Sequence, residues 1–196
     1  MAPAPASRPE VAVAVLVPVK AFAGAKARLA PVLGSAERAA LARSMAEQVL
    51  AAAGPLPVTV ACDDGEVAAW AADHGARVVL TPGLGLDGAV QRGVAALAAA
   101  GAARVIVAHA DLPWASDLPA LARFDGVTLV PDRRDDGTNV VCLPAGAGFV
   151  FAYGPGSFAR HCTEARRLGL GLRVVRIPGL QHDVDTPDDL SLPTPA

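Results

Sequence analysis

Nine consecutive apolar residues, VAVAVLVPV at 11–19, open the patterned part of the chain. A run this short, rich in valine and without polar alternation, reads as a strand covered on both faces, as in a parallel sheet packed between helices. The period then changes. In SAERAALARSMAEQVLAAAG (35–54), Ala39, Leu41, Met45, Val49 and Leu50 recur at helical spacing, with Ser35 as a candidate cap and Gly54 as a stop. PVTVAC (57–62) predicts a second strand, DGEVAAWAADHG (64–75) a short helix and ARVVL (76–80) a third strand. LDGAVQRGVAALAAAG (86–101) predicts a helix, ARVIVAH (103–109) a strand, DLPALARF (117–124) a short helix and GVTLVP (126–131) a strand.

Strands alternating with helices imply βαβ units with right-handed crossovers. The rhythm breaks at 131–157, where Gly, Asp and Pro surround two candidate strands, NVVCLP and GFVFAYG, of a β-excursion. GSFARHCTEARRLG (156–169) returns to helix and LRVVRIPG (172–179) to strand. The expected fold is α/β: a single-domain three-layer sandwich with a mostly parallel sheet over 11–190. An arm at 1–10 is expected to be disordered, and 191–196 forms a C-terminal tail. An apolar surface on the excursion is a candidate homodimer face.

Composition narrows the function classes. Of 196 residues, 53% are hydrophobic and 18% charged, which favours a packed globule over disorder. The formal net charge of −2 argues against a broad nucleic-acid surface and leaves room for a local basic pocket. No apolar run is long enough to span a bilayer, so no membrane partner is expected. MAPAPASRPE lacks the basic-then-apolar order of a signal peptide. Cys62, Cys142 and Cys162 are odd in number and widely spaced, which reads as reduced thiols in a cytoplasmic protein rather than a disulfide or zinc site.

Ligands of such sheets bind beyond the carboxyl ends of the strands. After the first strand, KAFAGAKARLAP places Lys20, Lys26 and Arg28 within nine residues, with Gly24 allowing close backbone approach. Cations among small residues suit a polyphosphate; the pattern is neither Walker A nor G-x-G-x-x-G, and a solvated loop before a helix is the alternative. After the third strand, TPGLGLDGAVQRG clusters Gly83, Gly85 and Gly88 around Asp87, with Gln91 following. The cluster reads either as a plain turn or as a loop whose amides and carboxylate meet a purine edge. After the fourth, HADLPW sets Asp111 on a turn stiffened by Pro113, a good position for a Mg²⁺ ligand. His109 takes no role beyond local hydrogen bonding.

Near the C-terminus, HDVDTPDDL holds Asp183 and Asp185 one residue apart, facing the same way if extended. Thr186, Pro187, Asp188 and Asp189 read as an ordinary helix start, whereas the Asp183/Asp185 pair asks for a cation or donors. Arg133 and Arg134 are either anion partners or solvated. Thr138, Asn139 and the turn GPGSF, with Gly154, Gly156 and Ser157, offer hydroxyls and amides suited to a small phosphorylated acid; plain capping by Ser157 is the alternative.

VPVKAFAGAKARLAP, GLDGAV, HADLPW, DDGTNVV, FAYGPGSFARH and DVDTPDDL occur in that order. Together they resemble the guanylyltransferases that begin assembly of the deazaflavin coenzyme F-420, over about 11–190. DxP and DxDTPxDL are shared with many GT-A-like nucleotidyltransferases; DGTN followed by GPGSFxRH is narrower. The resemblance implies the nucleotide-diphospho-sugar transferase type of fold and transfer of GMP from GTP to phosphoenolpyruvate or 2-phospho-L-lactate. It implies Mg²⁺ at Asp111 and Asp185, with Asp183 as the competing second ligand, and the phosphorylated acid at Thr138, Gly154 and Ser157. The triphosphate falls near Lys20, Gly24, Lys26 and Arg28, with Lys20 and Lys26 sharing the catalytic role with Asp111. The base falls near Gly85, Asp87 and Gly88, where Asp87 stands in place of the family's Asn. The Ala/Arg-rich composition points to a GC-rich, actinobacterial-type source, for which the resemblance implies phosphoenolpyruvate. Competing readings are 3-phosphoglycerate as acceptor, a molybdopterin- or sugar-phosphate-type nucleotidyltransferase, and a non-catalytic nucleotide-binding regulatory domain.

Overall fold

The computed structural model describes residues 12–193; the arm expected at 1–10 and the end of the expected tail, 194–196, lie outside the described residues. In chain order the elements are β1 (Val13–Pro18), α1 (Ser35–Ala52), β2 (Val58–Cys62), α2 (Gly65–Asp73), β3 (Arg77–Leu80), α3 (Gly85–Ala99), β4 (Arg104–Ala108), β5 (Val127–Pro131), β6 (Thr138–Pro144), α4 (Ser157–Arg167), β7 (Leu172–Val174) and α5 (Pro178–Gln181). Short 3-10 segments cover Ala27–Leu29, Leu118–Arg123 and Pro187–Ser191.

One seven-stranded sheet runs in the order β3-β2-β1-β4-β6-β5-β7. Every neighbouring pair is parallel except those of β6, which is antiparallel to both β4 and β5. The unbroken apolar runs follow from this arrangement, because helices cover both faces. Val15 and Val17 of β1 and Ile106 and Ala108 of β4 point into a core shared with α1 and α2. Ala14, Leu16, Val105 and Val107 point into the opposite core, under α3 and α4. The three layers expected from the sequence are present.

Two expectations need correction. NVVCLP does not leave the sheet: as β6 it fills the slot between β4 and β5. The turn feeding it is held by Asp132, whose carboxylate accepts from the amides of Arg134 and Asp136. GFVFAYG is not a strand. Its period-2 pattern is genuine, since Phe149 and Phe151 are buried and Val150 is exposed. Its backbone partners, however, are side chains of α3 and α4. The Val150 amide donates to Glu164, Phe151 to Gln91, Ala152 to His161 and Tyr153 to Asp87. An extended segment can thus satisfy its donors without a ladder. The aromatic side chains of this segment face the core, which leaves Val150 as its exposed large apolar residue.

The final strand is shorter than predicted, and the chain turns at Pro178 into α5. There Gly179 lies so close to Trp114 that a Cβ would come 2.4 Å from the Trp114 carbonyl oxygen. Backbone cannot yield as a side-chain tip can, so Gly179→Ala is expected to cost about 1–3 kcal/mol in thermal or denaturant unfolding.

Candidate active site

The tips of β1, β2, β3 and β4 open on a cleft of about 820 Å³. Its walls include Lys20 to Arg28, Asp63, Thr81, Gly85, His109 and Asp111, with Gly154 and Asp185 closing the far side. The tip of β5, also expected to border a ligand, is absent from this lining. β6 separates it from β4.

The loop after β1 is anchored at both ends. Phe22 is buried, stands edge-on to Trp70 and lies under the Arg43 guanidinium. Leu29 is fully buried with Met45 and Val184. Between them Gly24 (φ 79°) and Lys26 (φ 52°) take left-handed backbone. This conformation costs a lysine roughly 1–2 kcal/mol, and it turns the Lys26 side chain back into the cleft. Lys20 is exposed at the rim.

There the Lys26 ammonium donates to Asp111 Oδ2 at 2.7 Å and to Asp185 Oδ1 at 2.9 Å. Arg28 reaches the other oxygen of Asp185 at 3.6 Å. Lys26 is the most enclosed of the three clamp side chains at 12% exposure, against 24% for Asp111 and 42% for Asp185. Burial alone lowers a lysine pKa, but the charges of Asp111 and Asp185 outweigh it and hold Lys26 above its usual value. Burial likewise pushes Asp111 up, and Lys26 reverses that and holds its carboxyl below the ordinary range.

Asp111 Oδ1 is buried without a hydrogen-bond partner. A buried carboxylate oxygen left open beside a second carboxylate is a donor set for a hard divalent cation. Among the described residues no three His, Cys, Asp or Glu side chains gather into a metal cage. Two carboxylates that need substrate oxygens to complete coordination match Mg²⁺ better than a closed protein site does.

The C-terminal segment is tied to this point by the Val184 amide, which donates to the Asp111 carbonyl at 3.2 Å. Asp183 faces elsewhere: its carboxylate accepts from Asn139 at 3.4 Å, and burial followed by the charge of Asp111 pushes its pKa up. The geometry therefore groups Asp185, not Asp183, with Asp111 around Lys26. Buried Asp189 fixes the segment, accepting from the Asp185 and Thr186 amides and the Thr186 hydroxyl and pairing with Arg133. Arg133 is thus a structural partner, and Arg134 is exposed.

Thr138 and Ser157 come together beneath the Gly154 turn, their hydroxyls 3.5 Å apart. Both are buried. The open helix N-terminus expected there is in use: the Gly156 amide donates to the Asp136 carboxylate, Ser157 to the Gly154 carbonyl and Phe158 to the Asp136 carbonyl. Ser157 makes no capping bond; Gly156, at φ 72°, is the cap. Gly154 remains at the cleft surface. Of the glycine cluster after β3, Gly85 lines the cleft. Asp87 is engaged by the Tyr153 amide at 2.8 Å, and Gly88 packs on Leu84. Gln91 brackets Phe149 and Phe151.

Sequence reasoning passed over His161. Its signal was available, since His161 follows Ser157 by four residues and so shares its helix face. Fully buried, its Nε2 accepts the Ala152 amide at 3.0 Å, so its proton resides on Nδ1, which lies 3.0 Å from the Thr138 hydroxyl. Burial is the main cause that brings its pKa from 6.5 down to about 4. The unfolded chain therefore binds a proton first, and folding stability present above pH 6.5 drains as pH falls toward 4. The loss reaches about 3 kcal/mol. Denaturant titrations across this window should show the slope in the native chain and a shallower one in His161→Phe.

The Guanylyl transferase CofC like family model matches residues 13–192. A phosphoenolpyruvate guanylyltransferase from Sphaerobacter thermophilus is 40% identical over 184 residues, covering 89% of each chain. A 3-phospho-D-glycerate guanylyltransferase from Phenylobacterium zucineum is 37% identical, covering 89% of this chain and 86% of the relative. In fold, the chain matches a protein described as a nucleotide-diphospho-sugar transferase from Desulfovibrio desulfuricans G20, with TM-score 0.73, 19% identity and coverage of 92% and 85%. It also matches 2-C-methyl-D-erythritol 4-phosphate cytidylyltransferase from Thermus thermophilus, with TM-score 0.54, 18% identity and coverage of 90% and 94%. Matched from β1 to the final 3-10 turn, the chain belongs to the CofC-like guanylyl transferase family.

Proposed function

We propose that this enzyme transfers GMP from GTP to phosphoenolpyruvate, releasing pyrophosphate and forming enolpyruvyl-2-diphospho-5'-guanosine for coenzyme F-420 assembly. The observation that carries this reading is the Asp111–Lys26–Asp185 clamp at the strand tips of a chain that is 40% identical to a phosphoenolpyruvate guanylyltransferase. An oxygen of the acceptor phosphate attacks the α-phosphorus of GTP, the bond to the bridging oxygen breaks, and pyrophosphate departs with that oxygen. The attacking oxygen is already an anion, so no protein nucleophile or general base is required.

What the reaction needs is orientation and charge compensation between two anionic substrates. Lys20, Lys26 and Arg28 hold the triphosphate along a loop of small residues. Asp111 and Asp185 hold Mg²⁺. When bound, the ion supplies electrostatic stabilisation of the developing phosphate charge. Gly85 approaches the base, and Gly154 receives the phosphorylated acid at the cleft surface, with the buried pair Thr138 and Ser157 supporting its turn from behind. Small-molecule substrates fit a cleft of this size. Among the described residues no helix is long and apolar enough to cross a membrane. The 37% identity to a 3-phospho-D-glycerate guanylyltransferase makes that acid the second candidate acceptor; 2-phospho-L-lactate, which would give lactyl-2-diphospho-5'-guanosine, is the third.

Pyrophosphate release from each nucleoside triphosphate, with the three acids in parallel and Mg²⁺ present or chelated, tests the reading. GTP with phosphoenolpyruvate should give the highest kcat/KM, and silence with GTP and all three acids would defeat it. Asp111→Asn keeps the shape and removes the charge. Turnover should fall by at least about a thousandfold with the unfolding midpoint little changed.

A further inference from the structure

Lys26 occupies the position between two carboxylates where a divalent cation would be expected. Its ammonium is 2.7 Å from Asp111 Oδ2 and 2.9 Å from Asp185 Oδ1. A metal ion bound by both residues must take over at least one of these oxygens, and like charges exclude each other from one clamp. The arrangement is specific to Lys26. Arg28 is 76% exposed and stands 3.6 Å from Asp185, outside the clamp. The Lys26 backbone is left-handed, at φ 52°, a conformation unusual for a lysine, and its side chain points inward to the two carboxylates.

We infer that Lys26 is a resident counter-cation that exchanges places with the divalent ion, surrendering Asp111 and Asp185 to the metal as its own ammonium passes to the triphosphate. The inference rests on reading Asp111 and Asp185 as metal ligands. In the nucleotide-free protein Lys26 neutralises the two carboxylates and keeps the metal affinity low. Displacement without an anion to receive the ammonium strands a charge in a part-buried cleft, which is unfavourable. A triphosphate along Lys20–Arg28 supplies that anion, and by linkage nucleotide and metal favour each other's binding. Lysine suits the exchange better than arginine: it is a compact charge on a flexible stem, without a planar fork to be satisfied.

The test is metal binding by the nucleotide-free protein, read by calorimetry or electron paramagnetic resonance with Mn²⁺. Lys26→Met should bind Mn²⁺ at least about tenfold more tightly than the native chain, a difference of about 1.4 kcal/mol. Arg28→Met removes the same unit of charge from outside the clamp and should change the affinity by less than about threefold. Equal effects of the two variants, an unchanged or weaker affinity in Lys26→Met, or no Mn²⁺ binding by either protein would each overturn the inference.

A second measurement needs no folded variant of Lys26. The chain contains only two lysines, Lys20 and Lys26, so the ammonium resonances of the native protein are assigned by one Lys20→Arg substitution. The Lys26 signal should shift when saturating Mg²⁺ is added together with GTP and should then show hydrogen-bond scalar coupling to a nucleotide phosphorus. A signal that keeps its nucleotide-free position and shows no coupling to phosphorus at saturation overturns the exchange. Metal-independent turnover would instead defeat the metal part of the proposed function, so the two failures are distinguishable.

Discussion

Asp111 and Asp185 approach each other because a cation stands between them. They come from segments 85 and 159 residues from Lys26 in sequence, and without compensation their charges would repel across a part-buried cleft. Each partner is delivered by a separate device. A buried strand ends at Ala108 and a proline-stiffened turn fixes Asp111. Phe22 and Leu29, sunk into the core on either side, fix the loop that carries Lys26. Asp185 is held by the buried Asp189 carboxylate behind it and by the Val184 amide on the Asp111 carbonyl. Packing thus brings the charges into place, and the charges set what the cleft can accept.

The distribution of cations sharpens this division of labour. The chain has two lysines, both in the loop after β1. Arginines hold the structure elsewhere: Arg133 clamps buried Asp189, and Arg104, at the start of the central strand β4, reaches past β6 to the Asp125 and Gly126 carbonyls ahead of β5. A planar fork with several donors rigidifies what it touches, while an ammonium on a flexible stem can change partner. The small net charge of −2 conceals this arrangement because it averages over residues doing unlike jobs.

Much of the sheet was legible because β1, β2, β4 and β5 are apolar on both faces, a pattern few alternatives produce. The insertion of β6 was not, since an apolar run carries no record of its neighbours or of their direction. GFVFAYG is the more instructive case. Its alternation correctly placed Phe149 and Phe151 inward, but alternation reports which side chains are buried and says nothing about who receives the amides. Here Glu164, Gln91, His161 and Asp87 receive them. At the site, the strand-tip rule brought out Asp111 and the Lys20–Arg28 loop. Which of Asp183 and Asp185 faces Lys26 depends on long-range partners, Asn139 for one and Lys26 for the other, that spacing cannot encode. The Tyr153 amide on one oxygen of Asp87 is likewise a long-range contact that the glycine-rich loop around it does not encode.

The cleft also separates its two proposed substrates by kind of interaction. On the nucleotide side stand Lys20, Lys26 and Arg28. On the proposed acceptor side stands Gly154, with Thr138 and Ser157 buried beneath its turn and His161 behind them held neutral by burial and by the Ala152 amide on its Nε2. Both substrates are phosphorylated, so two cationic pockets would let either bind in either place. Neutral donors accept a phosphate monoester, but they compete poorly with three cations for a triphosphate. The acceptor side does hold one fixed cation, Arg160, but its guanidinium donates to the carbonyls of Ala152, Tyr153, Gly154 and Pro155 and ties down the turn, whereas both flexible ammonium groups of the chain lie on the nucleotide side. A neutral His161 keeps a second charge from accumulating beneath Thr138.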